Sequence, residues 1–264
     1  AGCHAQRPLQ GPHLTRRSGG AGGLLAEAGR LLDRLLPPGC AICGVGVVPG
    51  PPLCTICESR LPEIPKPLCR RCGVPATQSR DRDGCDVCDA WPAGLSRAAS
   101  AVLHAAPADE LVRGFKYRGW TGLAPLMGRM MAGPARRLAG DGSTVLVPVP
   151  LDRSRQRRRG YNQAALLARE LSLVTGLRWE SVLRRRSTSG RQAGSGRDDR
   201  IQNVRSAFHW FDGPSQRVDS LILVDDVLTT GATAAACSRA ISEAGYECRG
   251  VVTFARALHR PDET

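Results

Sequence analysis

Apolar residues first recur at helical spacing between residues 24 and 36 (LLAEAGRLLDRLL). Leu24, Leu25, Ala28, Leu31, Leu32, Leu35 and Leu36 share one side, with Arg30, Asp33 and Arg34 on the other. A repeat near 3.6 predicts a helix, and Pro37-Pro38 ends it. Two arginines are too few for a membrane-surface face, so its expected role is packing. Residues 1–23 are rich in Gly, Arg and Pro, show no period and read as a tail. Residues 37–93 also lack long periodic runs. Beyond Trp91-Pro92 the pattern changes. Helices are predicted over 107–118 (Leu111, Val112 and Phe115 on one side), 121–138 (Leu123, Leu126, Met127, Met130, Met131) and 162–175 (Leu166, Leu167, Leu171, Val174), the last with Asn162 as N-cap. Strands are predicted at 144–150 (TVLVPVP), from 182–184, at 208–211, 221–224 and 249–255, with a helix over 233–244 between the last two. Strand, loop, helix and strand in this order predict an α/β fold, a parallel sheet flanked by helices. Residues 185–203 are polar, basic and Gly-rich, and read as a long loop. The expected organisation is a tail and short helix over 1–36, a small module over 37–93 and an α/β domain over 94–264.

The module is defined by cysteine. Eight of the chain's 11 cysteines form four Cys-x-x-Cys pairs, Cys40/Cys43, Cys54/Cys57, Cys69/Cys72 and Cys85/Cys88. Each pair can aim two thiolates at one ion, and a tetrahedral zinc needs a second pair to complete its shell. Two structural zinc ions are therefore expected, with no open coordination position. Disulfides and an iron–sulfur cluster are the other chemistries the spacing allows. Sequential pairing (Cys40, Cys43, Cys54, Cys57; Cys69, Cys72, Cys85, Cys88) and crossed pairing satisfy the count equally. Gly44 and Gly73 each follow a pair, where a positive φ eases the turn. The region has few apolar residues, so metal binding would supply its folding energy. Leu53, Ile56, Leu61 and Ile64 are either its small core or a patch for a partner protein.

Composition adds one fact about partners. Hydrophobic residues make up 42% of the 264 residues, enough for a packed core, and no stretch approaches the ~20 apolar residues of a spanning helix. The net charge is +13, and residues 151–200 alone hold 13 basic against 5 acidic side chains. Such a surplus attracts phosphates and nucleic acid. The first residues lack the apolar run of a secretory signal, and the odd cysteine count argues against a fully paired secreted scaffold. A reducing cytoplasm is the expected compartment.

The most specific string is LILVDDVLTTGAT, residues 221–233. A buried apolar strand delivers two adjacent carboxylates, and a hydroxyl-rich turn then runs into a helix. Free backbone N–H groups at a helix start and threonine hydroxyls can surround a phosphate. Carboxylates do not want that phosphate; they suit a neighbouring ribose diol, or magnesium through water. The implied ligand is a ribose with a phosphate at one end. The string is neither a Walker loop nor a Gly-x-Gly-x-x-Gly dinucleotide turn.

This string resembles the phosphoribosyl-diphosphate motif of type I phosphoribosyltransferases. The wider order, a cysteine-rich ribbon, VPVPL, RRRGYNQAALLA, RIQNVRSAF and LVDDVLTTGAT, resembles the ComF family over roughly residues 37–258. The resemblance implies a type I phosphoribosyltransferase-like sheet with its site at the strand ends. It implies that Asp225 and Asp226 bind the ribose hydroxyls, that Thr229, Thr230, Gly231, Ala232 and Thr233 hold the 5′-phosphate, and that Arg153 and Arg191 meet the diphosphate. The activity implied is magnesium-dependent phosphoribosyl transfer from phosphoribosyl diphosphate. No acceptor pocket is legible, so purine, pyrimidine and ammonia stay open. Two further functions stand beside it. One is a single-stranded DNA-binding accessory protein of DNA uptake, working with a competence or DNA-handling protein, its phosphoribosyl site regulatory or vestigial. The other is a zinc-module platform for a partner protein. Lys116, in FKYRG, either reaches phosphate or lies on a helix surface. Cys237 is expected to be buried and inert, and Trp120, Trp179 and Trp210 are weak candidates for base stacking.

Overall fold

A computed structural model of the chain describes residues 39–46, 52–76, 85–89, 91–186, 207–215 and 218–258. The predicted helix at 24–36 and most of the 185–203 loop, Arg191 included, lie outside them. Five strands form a parallel sheet: β1 (Ala98–Leu103), β2 (Thr144–Pro148), β3 (Arg178–Trp179), β6 (Ser220–Leu228) and β7 (Cys248–Arg256), in the order β1-β7-β6-β2-β3. β4 (Leu183–Arg185) and β5 (Phe208–Trp210) make a separate antiparallel pair. Seven helices accompany them among the described residues: α1 (Thr55–Ser59), α2 (Asp86–Asp89), α3 (Ala108–Tyr117), α4 (Ala124–Ala139, after a 3₁₀ turn at Thr121–Leu123), α5 (Arg153–Arg159), α6 (Gln163–Thr175) and α7 (Ala232–Glu243). None is long and apolar enough to cross a membrane.

The sheet is covered on both faces, which is why its strands read as unbroken apolar runs. Side chains alternate along a strand. On β6, Ile222 and Val224 join the core beneath α3, α4 and α6, with Phe115, Met127, Met131, Leu167 and Leu171. Leu221 and Leu223 join the opposite core beneath α7, with Ala235, Cys237 and Ile241. Cys237 is fully buried, as expected, and the methionines at 127 and 131 fill core.

Three elements differ from what the apolar pattern predicts. β1 is built of small residues (AASAVL). β6 runs past the predicted end at Val224 to Leu228, because Asp225, Val227 and Leu228 keep register with Thr253, Ala255 and Arg256 of β7. α5 (RSRQRRR) buries no side chain; its ends define it instead. The Asp152 carboxylate accepts from the N–H groups of Ser154 and Arg155, and Gly160 closes it in the left-handed conformation.

The cysteine-rich segment lies along the sheet edge. The Ala98 N–H of β1 donates to the Arg71 carbonyl (2.8 Å), and the Leu103 N–H to that of Pro62 (2.8 Å). Cys40, Leu53, Cys57 and Leu61 are buried in the same core as Val102 and Phe115. Leu53 and Leu61 are thus spent inside, whereas Ile56 stays exposed.

α3 carries Lys116 and is seated tightly. The Trp120 ring lies where a side chain at Gly114 would project. Gly114→Ala is expected to destabilise the protein by about 1–3 kcal/mol. Gly133→Ala, on the exposed side of α4 where an added Cβ would meet only the Arg137 guanidinium at 3.7 Å, an ordinary contact, should instead stabilise by up to ~1 kcal/mol through helix propensity. Melting curves of the two variants should move in opposite directions.

Candidate functional site

β6 brings the two carboxylates to the carboxyl edge of the sheet, on opposite faces because they are neighbours on a strand. Asp226 lies on the α3 face, nearly fully buried, and its Oδ1 pairs with Lys116 Nζ at 2.8 Å. Its Oδ2 is buried without a partner. Asp225 is half-buried on the other face, and its Oδ1 accepts the Asp226 N–H at 2.8 Å. Burial, then the neighbouring Asp226 charge, push the Asp225 carboxyl up to about 7, against the pull of that N–H, Lys116 and Arg159. The same cavity, about 350 Å³, meets Asp225, Asp226, Lys116, Arg155, Arg185 and Thr229. Lys116, read from the sequence as a phosphate contact or a surface lysine, pairs with Asp226 and lines the same cavity.

Beyond the carboxylates, residues 229–233 turn into α7 around a pocket of about 60 Å³. Gly231, at φ +80°, is the N-cap residue, and no side chain caps the helix there. The first N–H groups of a helix have no intrahelical partner, and a positive φ favours glycine. The Thr230 hydroxyl reaches the Ala232 N–H only at 3.4 Å. Thr229 and Thr230 are exposed. This is an uncapped helix start, lined by hydroxyls, with the chemistry to take an anion.

Arg153 does not line the acid cavity. It opens α5 on an adjoining groove of about 630 Å³, shared with Arg184, Arg186, His209 and Phe211, and Arg185 lines both spaces. The capped geometry of α5 places Arg153 on this groove and Arg155 on the acid cavity, a signal that lay in Asp152 and Gly160 rather than in the arginine run. Tyr161 and Asn162 tie the site together. The Tyr161 hydroxyl donates to the Phe115 carbonyl of α3. Asn162 caps α6 by accepting from the Ala164 N–H and donates to the Val149 carbonyl at 3.1 Å. Trp210 stacks on Tyr246.

The cysteines gather sequentially into two clusters, Cys40, Cys43, Cys54, Cys57 and Cys69, Cys72, Cys85, Cys88, with the four sulfurs of each within 4.8 Å. Sulfurs bound tetrahedrally at about 2.3 Å lie about 3.8 Å apart. Cys43–Cys54 is 3.8 Å, Cys69–Cys88 3.9 Å, Cys85–Cys88 3.8 Å and Cys72–Cys85 3.4 Å. All eight are free thiols, far from disulfide distance. Both knuckles are built alike. The Cys40 N–H meets the Val45 carbonyl and the Gly44 N–H that of Cys40; Cys69, Val74 and Gly73 repeat the pattern. Gly44 and Gly73 have φ of +72° and +69°. In the first cluster burial is outweighed by the N–H groups of Cys43, Cys54 and Ile42, which bring Cys40 down to about 7. Burial and the neighbouring thiols push Cys57 up. Four such groups ionise together only around a cation, so each cluster fits a structural zinc.

The double zinc ribbon domain family matches residues 31–90. The DNA utilization protein YhgH of Escherichia coli K12 is 32% identical over 212 residues, covering 78% of this chain and 91% of that protein. The chain belongs to the ComF competence-protein family. Competence protein F of Haemophilus influenzae is 29% identical (78% and 90% covered), and competence protein ComFC of Bacillus subtilis 27% (75% and 80%). Among solved structures, a glutamine phosphoribosylpyrophosphate amidotransferase of B. subtilis overlaps 50% of this ComF chain and 26% of its own, at 19% identity and a TM-score of 0.34. That likeness is too loose to carry an argument.

Proposed function

We propose that this ComF protein is a DNA-handling accessory protein of the competence type, with a phosphorylated-ribose site that serves single-stranded DNA. The observation that carries the reading is continuity. Thr229 and Thr233 line both the acid cavity and the pocket at the start of α7, and Arg185 lines both the acid cavity and the arginine-lined groove. A ribose phosphate held at one end would send the rest of a polyanion along guanidiniums, with the exposed Phe211 ring beside them. The names of the bacterial relatives, DNA utilization and competence proteins, point the same way.

In this reading Thr229, Thr230, Gly231, Ala232 and Thr233 take the phosphate, while Asp225 and Asp226 take the ribose hydroxyls of a free ligand such as phosphoribosyl diphosphate. Magnesium would enter with the diphosphate and lend it charge neutralisation, with the acid pair on one side and Arg155 and Arg185 on the other. Arg153 would answer to polyanion along the groove, while Arg191 lies outside the described residues. Zinc would fill both cysteine clusters. A second reading, phosphoribosyl transfer, is favoured by one observation: the cavity holds acids and arginines facing a single small volume.

Fluorescence anisotropy with a 5′-phosphorylated single-stranded oligonucleotide, across a salt series, tests the first reading. Binding that persists at ~0.15 M salt with a log–log slope near −0.7 per phosphate is expected. It should be competed by phosphoribosyl diphosphate. Loss of all binding at that salt, or indifference to the competitor, would refute a shared site. Pyrophosphate release with a nitrogen acceptor would favour transfer instead.

A further inference from the structure

Arg256 ends β7 and is the largest fully buried side chain among the described residues, 2% exposed. A buried cation is costly unless it is balanced. Yet no carboxylate pairs with it among the described residues. Its Nη1 donates to the Thr229 carbonyl at 3.3 Å, its Cζ lies 5.4 Å from the Trp91 ring centroid, and its Nε has no partner. Burial holds the Arg256 guanidinium below its ordinary pKa, and the sulfurs of Cys72, Cys85 and Cys88, three members of the second cluster, pull in the opposite direction.

The same neighbourhood is bridged by packing. Trp91 packs against both the second cysteine cluster and the core beneath α7, and its N–H donates to the Cys88 carbonyl. Four residues on, Leu95 Cδ2 lies 2.8 Å from where a Cβ at Gly231 would project. Arg239 of α7 holds the Ala93 carbonyl at 3.0 Å. The segment that leaves the second cluster therefore lies against the N-cap of the phosphate turn.

We propose that Arg256 is a positioning residue that ties the second four-cysteine cluster to the phosphate turn, held from one side by the net negative charge of a metal bound to four thiolates and holding the Thr229 carbonyl on the other. Zinc in four thiolates carries a formal charge of about −2, the countercharge that Arg256 otherwise lacks. Arginine suits this place because its planar fork can face two partners at once, whereas lysine offers a point charge. By reciprocity, losing the metal loosens the turn, and losing the guanidinium loosens the metal. The first cluster, Cys40 to Cys57, has no such link and should not affect the turn through Arg256. The inference rests on the proposed phosphate role of residues 229–233 only for its effect on ligand binding.

The test uses the full chain as Arg256→Met and Arg256→Lys, with two readouts that need no ligand. The first is amide hydrogen exchange resolved over residues 228–236. The second is zinc release to a chromogenic chelator, which reports two populations if the clusters differ. Arg256→Met should speed exchange in that segment and release one of the two zincs about tenfold faster, the lower end for loss of an outer-shell partner. Arg256→Lys should keep the slow release, through its charge, but still speed exchange at the turn. Calorimetry with phosphoribosyl diphosphate should then show about tenfold weaker binding by both variants, the scale of one charge-assisted hydrogen bond. Wild-type exchange and wild-type zinc release in Arg256→Met would overturn the proposal. So would faster exchange spread evenly over the sheet, which marks a merely structural arginine. No ligand binding by wild-type protein would count against the phosphate reading alone, leaving the exchange and release results to decide on Arg256.

Discussion

A fragment beginning at residue 94 is expected to aggregate, while the intact chain purified without oxygen carries about two equivalents of zinc, one per four-cysteine cluster. The reason lies in what the cysteine-rich segment covers. β1 is an edge strand, and its Ala98 and Leu103 N–H groups are satisfied by carbonyls of Arg71 and Pro62. Removing residues 37–93 uncovers a row of backbone donors, the template for edge-to-edge association. It also takes Leu53, Leu61, Cys40 and Cys57 out of a core that includes Val102 and Phe115. Each large apolar side chain lost from such a site costs about 2–5 kcal/mol, comparable in sum to the whole stability of a domain. Cys40→Ser and Cys69→Ser should each lose metal and solubility, since neither cluster has a spare ligand. Metal analysis and light scattering check all four proteins. Zinc near zero in the intact chain would refute the metal assignment. A monodisperse, folded 94–264 fragment would restore an independent α/β domain.

Where the sequence could be read, apolar contrast was present. The helices at 107–118 and 162–175 and the buried methionines at 127 and 131 carry a period near 3.6, and the strand at 221–224 is an unbroken apolar run ended by the acid pair. β1 could not be read in this way, since Ala98, Ala99 and Ser100 offer little hydrophobic contrast. α5 could not either, because all seven residues are polar and only Asp152 and Gly160 mark its ends. The four Cys-x-x-Cys pairs predicted eight ligands but not their partition. Sequential grouping is decided by the fold, which gathers the four sulfurs of each group within 4.8 Å of one another, something spacing along the chain does not encode. Arg256 was silent for another reason. A single arginine at the end of a strand reads as surface, and only the fold reveals that it is buried, with its guanidinium on the Thr229 carbonyl and beside the Trp91 ring. Lys116 likewise needed the sheet: Asp226 faces α3 because it is one residue, and so one face, away from Asp225.

Asp225→Asn combined with Asp226→Asn is expected to weaken binding of phosphoribosyl diphosphate by about a hundredfold, since each carboxylate would forfeit a charge-assisted hydrogen bond to a ribose hydroxyl. The single variants should separate by pH. The Asp225 carboxyl is held up to about 7 by burial and then by the Asp226 charge. Between about pH 4 and 7 the folded chain keeps a proton that the unfolded chain has released. Stability attributable to this group therefore falls as pH rises through that window and levels off above it. Ligand affinity should move the other way, rising from pH 6 to 8 as the carboxylate becomes an acceptor. Asp225→Asn removes both trends. At pH 8 it should melt higher than wild type, by about 5 °C, and bind weakly at every pH. Asp226→Asn should behave differently, because it leaves the half-buried Lys116 ammonium without its 2.8 Å partner, and should melt lower than wild type. Calorimetry and melting curves at pH 5, 6, 7 and 8 on the three variants carry the test. Equal affinity in wild type and double variant would remove the acid pair from the site, and a wild-type melting temperature that rises between pH 5 and 7 by the amount Asp225→Asn removes would reverse the sign argued for Asp225.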